Sequence, residues 1–370
     1  MNSLRELTSY LVGLAGVILA CNGYASPQSE YIRVTDYLAE HPDQPQIMAR
    51  FSDVVRSTPK ALTAQQTAPV KVAVVYPGVQ SSDYWRRSLK AFERRLQDLK
   101  VNYEIKTYLS RPSVDLDLQA EQLIEALHWR PDYLIFTVDA LHHRSMIERV
   151  ILRGKPKLIL QNITTPITDW RFKRPFMYTG FDHALGTELL AERMLNDEQS
   201  NRFGLLYFSQ GYVSVMRGDT FLNAAQKHSS STMIGGFYTD GNRGKARAAT
   251  AQLLKKEPDM NMLFACSTDI ALGALDALRD AGKLDKVTVN GWGGGDAELQ
   301  ALQAKELDLT VMRMNDDASV AMAEAIKLDL EGKAAQVPHI YSGDMVLIDQ
   351  NTSQEMVQKY KTRAFRYSNE

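Results

Sequence analysis

From position 70 onward the sequence alternates short β-branched and apolar runs, several of them unbroken by polar residues, with longer stretches of helical period. Such a run has no polar face to turn to water, so both faces of the strand it forms must be covered. Helices of the following segments supply that cover, and right-handed crossovers between parallel strands make the unit a doubly wound α/β layer structure. The first round has strands at 72–76, 103–108, 133–138 and 157–161, with helices at 83–99, 117–129 and 143–152 between them. A second round has strands at 203–208, 233–238, 262–266, 287–290, 309–312 and 341–348. Its helices fall at 216–228, 245–256, 270–281, 297–304, 319–331 and 353–364. Two α/β lobes are expected, first joined near Gly180-Phe181-Asp182-His183.

The chain is long enough for this. Its 370 residues, 44% hydrophobic and 24% charged, allow two full cores. The boundaries expected are 1–25 for a signal peptide and 26–69 for a helical strap and linker. The N-terminal lobe then takes 70–182 plus about 314–335, and the C-terminal lobe 183–313 plus about 336–370.

Residues 1–25 carry Arg5, an uncharged apolar run at 11–21, and small residues Gly23 and Ala25 before Pro27. That order reads as a secretory signal, and the run is shorter than the roughly 20 residues of a membrane span. Cleavage after Ala25 sends the chain to the periplasm with Cys266 as its one remaining cysteine. The alternative is acylation of Cys21, in the loose lipobox Ile18-Leu19-Ala20-Cys21. Lys plus Arg number 43 and Asp plus Glu 44, a net charge of -1, so no global attraction for nucleic acid or other polyanions is expected.

Doubly wound sheets bind ligands beyond the C-terminal ends of their strands, and two facing lobes form a cleft there. The informative residues are therefore the polar ones that follow strands. They include Gln80 and Ser82 after the first strand, Asp139, Asn162, Arg217, Ser267 to Asp269, Gly291 to Gly295, and Arg313. Ser82 also fits a helix cap, and Trp85 and Trp292 fit core packing as well as a cleft wall. An aromatic wall beside amides and hydroxyls suits a polyol, whose carbon face needs cover while its hydroxyls need partners. Arg217 and Arg313 suit anions or vicinal oxygens, or simple surface pairing. Asp269 either orients one arginine or sits passively in a helix first turn.

Other chemistries lack their signatures. Gly293-Gly294-Gly295 has neither dinucleotide spacing nor a following Gly-Lys-Ser/Thr, and no nucleophile elbow or zinc spacing is present. His142 and His143 are adjacent and diverge on a helix, and Cys266 ends a strand as a small buried hydrophobe. No cofactor and no catalytic residue is expected.

Several longer stretches carry a resemblance. VVYPGVQSSDYW (74–85), DYLIFTVD (132–139), KLILQNITTP (157–166), TGFDHALG (179–186) and LLYFSQGYVSVMRGDTF (205–221) are the first of them. ACSTDIALGA (265–274), NGWGGGDAEL (290–299), LTVMRMNDD (309–317) and KTRAFRYS (361–368) complete the set. Together they resemble the LuxP-type periplasmic autoinducer-2 receptors of quorum-sensing bacteria, within the periplasmic binding proteins of type 1. The resemblance implies two doubly wound parallel-sheet lobes with a ligand cleft between them. It implies a ligand shell of Gln80, Ser82, Trp85, Asn162, Arg217, Thr268, Trp292 and Arg313, with Asp269 beside it. It also implies autoinducer-2 as its furanosyl borate diester for ligand, boron entering only as part of it. The partner implied is a membrane sensor histidine kinase resembling LuxQ, regulated by cleft closure, with no metal site and no nucleic acid. The competing expectation is a periplasmic sugar-binding protein, of ribose or galactose type, serving an ABC transporter. A secreted enzyme and a transcription factor are weaker alternatives, lacking respectively a catalytic motif and a basic helix-turn-helix.

Overall fold

The computed structural model describes residues 30–138, 141–170, 173–198 and 200–369. The signal segment, Cys21 and Asp139 lie outside the described residues.

Two six-stranded sheets form. The first has the order β11-β5-β4-β3-β1-β2, from β1 (Val70–Tyr76), β2 (Tyr103–Leu109), β3 (Tyr133–Phe136), β4 (Lys157–Gln161), β5 (Met177–Gly180) and β11 (Ile340–Ser342). The second has the order β12-β10-β9-β8-β6-β7. Its strands are β6 (Asn201–Tyr207), β7 (Ser231–Tyr238), β8 (Met262–Ala265), β9 (Thr288–Gly293), β10 (Leu309–Arg313) and β12 (Met345–Asp349). All pairings are parallel except that of β10 with β12. The central strands are buried along their whole length, as their unbroken apolar runs require.

The chain crosses between lobes three times. It passes from β5 into α6 (His183–Met194), which packs on β10 and β12, and from β10 into α11 (Asn315–Leu330), which packs on the first lobe. It crosses again between β11 and β12. The run 341–348, which reads as one strand, is thus two strands in different sheets, and the return falls after Ser342 rather than at about 336. Gly343 marks the break. Its N–H donates to the carbonyl of Gly180, and an added Cβ would come within 2.6 Å of the Phe181 ring.

The N-terminal segment forms α1 (Val34–Glu40) and α2 (Gln44–Arg56), and residues 57–69 run along the first lobe. Leu62 N–H donates to Leu99 O, and Thr63 donates to Glu331. α11 is buried along most of its length against α2 and α3 (Tyr84–Asp98). Inside that interface Arg95 pairs with Glu324 at 2.5 Å, both side chains 1% exposed. Arg95 also donates to the carbonyls of Val54 and Ser57. One buried ion pair thereby ties strap, helix and lobe.

The strap is also held by a histidine. His339 Nδ1 lies 2.6 Å from the Tyr37 hydroxyl, and its backbone N–H donates to Gln44 Oε1 at 2.8 Å. Burial first, then Arg174 and His41, pull the His339 pKa down to about 4. The unfolded chain therefore binds a proton near the ordinary histidine value of about 6.5 that the folded chain refuses until about pH 4. Stability from this group is present above pH 6.5 and falls as the pH drops toward 4. Thermal unfolding of His339→Gln, which cannot titrate, should therefore show a shallower loss of Tm from pH 6.5 to 4 than the parent chain. Parallel curves would remove His339 as a source of acid sensitivity.

Candidate functional site

The polar residues following the strands meet between the lobes. Gln80, Ser82, Trp85 and Asn162 come from the first lobe, and Arg217, Thr268, Trp292 and Arg313 from the second. All eight line one small cavity of ≈ 40 Å³, far below the roughly 300–1,000 Å³ usual for open ligand sites, so the lobes are tightly closed on it. Tyr84, Phe208, Val213 and Ser267 complete its wall. Among the described residues no carboxylate lines it.

Local structure explains each placement. β1 ends at Tyr76, and 77–83 turn the chain into α3, so Trp85 lies in the first turn, tilted against Tyr76 with centroids 4.6 Å apart. Ser82 Oγ accepts from Tyr84 N–H at 3.5 Å, a long cap contact, while Asp83 instead pairs with Arg87. Gln80 Nε2 donates to Pro77 O at 3.1 Å. Asn162 follows β4 with φ +65°, a left-handed conformation that Asn tolerates better than most residues. Arg217 lies in a π-helical stretch, Ser214–Asp219, ahead of α7 (Thr220–Ala225), where a single regular helix was expected from 216. Such widened turns re-aim side chains and recur at functional sites.

The two guanidiniums are buried, at 4% exposure for Arg217 and 6% for Arg313. Arg217 donates to Cys266 O at 2.7 Å, and its Cζ lies 3.6 Å from the centroid of Trp292. Arg313 ends β10 with its Cζ 4.0 Å from the centroid of Tyr84. Its Nε has no hydrogen-bond partner among the described residues. Burial holds the Arg313 pKa below the ordinary arginine value. Gly293, at φ +142°, is what admits this side chain, since a Cβ there would sit 2.6 Å from Arg313 Nη2. The glycine run serves close approach, as its sequence suggested. Cys266 is buried, and burial pushes its thiol up to about 12, so it is inert.

Trp292 is fixed from both ends. Its indole Nε1 donates to Thr187 Oγ1 at 3.2 Å, and its backbone N–H donates to Glu298 Oε1 at 3.0 Å. Glu298 lies in α10 (Asp296–Gln303) and also accepts from Gly294 N–H and Thr310 Oγ1. Tyr84 is positioned by Gln161, whose Nε2 donates to its hydroxyl at 3.2 Å.

Asp269 stands apart from the cavity wall. It neither pairs with an arginine nor idles in the first turn of α9 (Thr268–Asp280). Its two carboxylate oxygens accept from the backbone N–H groups of Ser81 and Ser82, each at 3.1 Å, across the cleft. Beside it Arg87 reaches Asp296 of the other lobe at 2.5 Å. These bonds exist only with the lobes together, so they bias the open–closed equilibrium toward closure. Asp269→Ala should open the ligand-free protein, read as a larger radius of gyration in solution scattering, and weaken ligand binding about tenfold, or about 1.4 kcal/mol. An unchanged radius and affinity would show that closure does not depend on this contact.

The residues that sequence position missed are Tyr84, Glu298 and His183. His183 opens α6, is fully buried, and touches both Asn162 and Arg217. Its sequence signal was weak: a lone histidine beside the first lobe crossing.

Residues 72–334 match the family described as "Periplasmic binding protein domain", and the chain belongs to that family of two-lobed binding proteins. It is a periplasmic protein and not an enzyme. Among curated relatives, the ribose import binding protein of Salmonella typhimurium is 30% identical over 132 residues, 36% of this chain and 43% of the relative. That of Escherichia coli K12 is 30% identical over the same shares of each chain. The chain thus spans less than half the length of these relatives. Among solved structures, a solute-binding protein of Agrobacterium vitis bound to α-D-tagatopyranose has TM-score 0.69 at 16% identity, covering 79% of this chain and 98% of that one. One from Actinobacillus succinogenes with bound D-allose has TM-score 0.65 at 17% identity, covering 79% and 100%. At these identities the structures establish the two-lobed α/β fold.

These relatives correct one expectation. The sequence resemblance pointed to an autoinducer-2 receptor, a borate diester ligand and a LuxQ-like sensor kinase as partner. The curated matches are instead ribose import binding proteins, and the solved neighbours carry ordinary sugars. They favour the sugar-binding transport class over quorum-sensing signalling. The physical reason for the error lies in the residues themselves. Arginines, amides and tryptophans around a small cleft suit any compact oxygen-rich ring, so they define a class of ligand rather than one member.

Proposed function

We propose that the protein is the periplasmic sugar-binding component of an ABC transporter, taking one monosaccharide of the ribose or galactose type into the cleft. The observation that carries this is the convergence of eight side chains from both lobes on one small cavity. Trp85, Tyr84 and Trp292 cover the carbon face of a sugar ring. Gln80, Ser82, Asn162, Thr268 and the two arginines meet its hydroxyls and ring oxygen. Vicinal hydroxyls match the forked donors of a guanidinium, which explains why two buried arginines serve an uncharged ligand.

A sugar touching both lobes gains its full contacts only in the closed form, so binding shifts the population toward closure. The closed form is what a membrane permease and its ATPase distinguish from the open one. The ribose import function of the curated relatives supports this reading. Calorimetric titration with D-ribose, D-galactose, D-glucose and D-allose tests it. One-to-one binding of at least one sugar is expected, and heat from none of the four would overturn the assignment.

A further inference from the structure

We propose that His183 is a positioning residue of the cleft, whose imidazole accepts from Arg217, donates to Asn162, and so fixes the direction in which both face a ligand. The inference rests on the reading of the cleft as a ligand site. His183 Nδ1 lies 3.4 Å from Arg217 Nε, whose N–H is aimed at it. His183 Nε2 lies 3.3 Å from Asn162 Oδ1 and 3.3 Å from Arg217 Nη2. A guanidinium nitrogen only donates and the Nε–H is the one aimed at the ring, so Nδ1 accepts and the ring proton sits on Nε2, which leaves the Nη2 contact as a close approach of two donors and not a hydrogen bond. Of the two neighbours of Nε2, only the Asn162 oxygen accepts. The Asn162 amide is thereby oriented with its oxygen toward the imidazole and its nitrogen turned away as a donor.

The ring itself cannot turn. It lies tilted against Tyr212 with centroids 5.0 Å apart and meets Trp292 edge-on at 4.9 Å. The charged groups facing it are Arg217 and Arg313, both cations. Asp182, the preceding residue, is committed to the N–H of Leu185 as a helix cap. The other groups packed on the ring are the Tyr212 phenol, the Trp292 indole and the Asn162 amide, all neutral. Burial first, then Arg217 and Arg313, hold the ring well below the ordinary histidine pKa. A neutral ring is the form the two hydrogen bonds need. The left-handed backbone at Asn162, whose Cα lies 3.1 Å from where a Cβ on Gly180 would sit, holds the amide within reach of it.

The test uses the full mature chain labelled with 15N at histidine and arginine. In the ligand-free protein, His183 should show the Nε2–H tautomer, unchanged from pH 8 to 5. His183→Phe keeps an aromatic ring between Tyr212 and Trp292 but removes both hydrogen bonds. It should shift the Arg217 Nε–H resonance and weaken D-ribose binding at least tenfold, while His183→Gln recovers part of the affinity. An Nδ1–H tautomer, titration near pH 6.5, or full affinity in His183→Phe would overturn the proposal. The tautomer is read without ligand and in the unaltered protein. It therefore decides the matter if His183→Phe fails to fold, or if the parent chain does not bind ribose and the transport reading falls.

Discussion

Replacing Arg313 by methionine is expected to weaken sugar binding about 100-fold, or about 2.7 kcal/mol, without lowering Tm. The two effects separate because the arginine serves the ligand rather than the fold. Its guanidinium lies over Tyr84, fully within the protein, and its Nε has no partner among the described residues. Burying a cation whose donors are incompletely met costs stability, and apolar replacements of similar volume are often neutral or stabilising. Methionine fills the space beside Tyr84 and Phe181. Bound sugar oxygens, by contrast, lose a forked donor at the centre of the cleft. Calorimetry with D-ribose and differential scanning calorimetry of the free protein check the pair of outcomes. Unchanged affinity would show that Arg313 is a packing residue. A large fall in Tm would show that it holds the lobes together.

The second large effect falls on stability. Glu298→Ala should destabilise the C-terminal lobe by about 3–5 kcal/mol, since each of the three buried donors it strands costs about 1–3 kcal/mol before relaxation. Glu298 is fully buried and accepts at 3.0 Å from Trp292 N–H, 2.8 Å from Gly294 N–H and 2.5 Å from Thr310 Oγ1. Its loss strands three donors and leaves a cavity against Gly291, where the carboxylate now sits 2.6 Å from an ideal Cβ position. Glu298→Gln keeps the shape and part of the hydrogen bonding, and should cost less than half as much. Urea unfolding of the three proteins measures both. Equal stability of Glu298→Ala and the parent would mean that water or neighbouring groups take over its role.

The fold was legible because parallel central strands have an unmistakable sequence form. Runs such as 158–160 and 262–265 are buried throughout, and no polar residue interrupts them. The run 341–348 misled for the same reason. Both halves are strand-like, and only Gly343 and Asp344 hint that the chain changes sheets between them. The irregular helix at Ser214–Asp219 was not legible either, since nothing in its composition separates a π turn from an α turn.

Strand-end position, with the resemblance selecting among candidates, led to eight residues that do share one cavity. Position works there because every strand of a doubly wound sheet delivers its following residue to the same edge. The residues missed act across distances that sequence spacing does not encode. His183 meets Asn162 and Arg217 from positions 21 and 34 apart, and Glu298 reaches back six residues to Trp292 through a helix first turn. Asp269 was found as a residue but misread as a neighbour of arginine. Its partners are two backbone N–H groups on the opposite lobe, which have no side-chain signature.

The near-neutral charge of the chain takes on a local meaning. At -1 overall it draws no ligand by long-range field. Recognition is confined to the closed cleft, where two guanidiniums act at short range with no carboxylate in the wall among the described residues. The most direct test of the account is to release the ligand carried by the natively purified protein and identify it by mass spectrometry. The account predicts one intact, uncharged monosaccharide per chain. A ligand that is not a carbohydrate, or one altered by the protein, would contradict it.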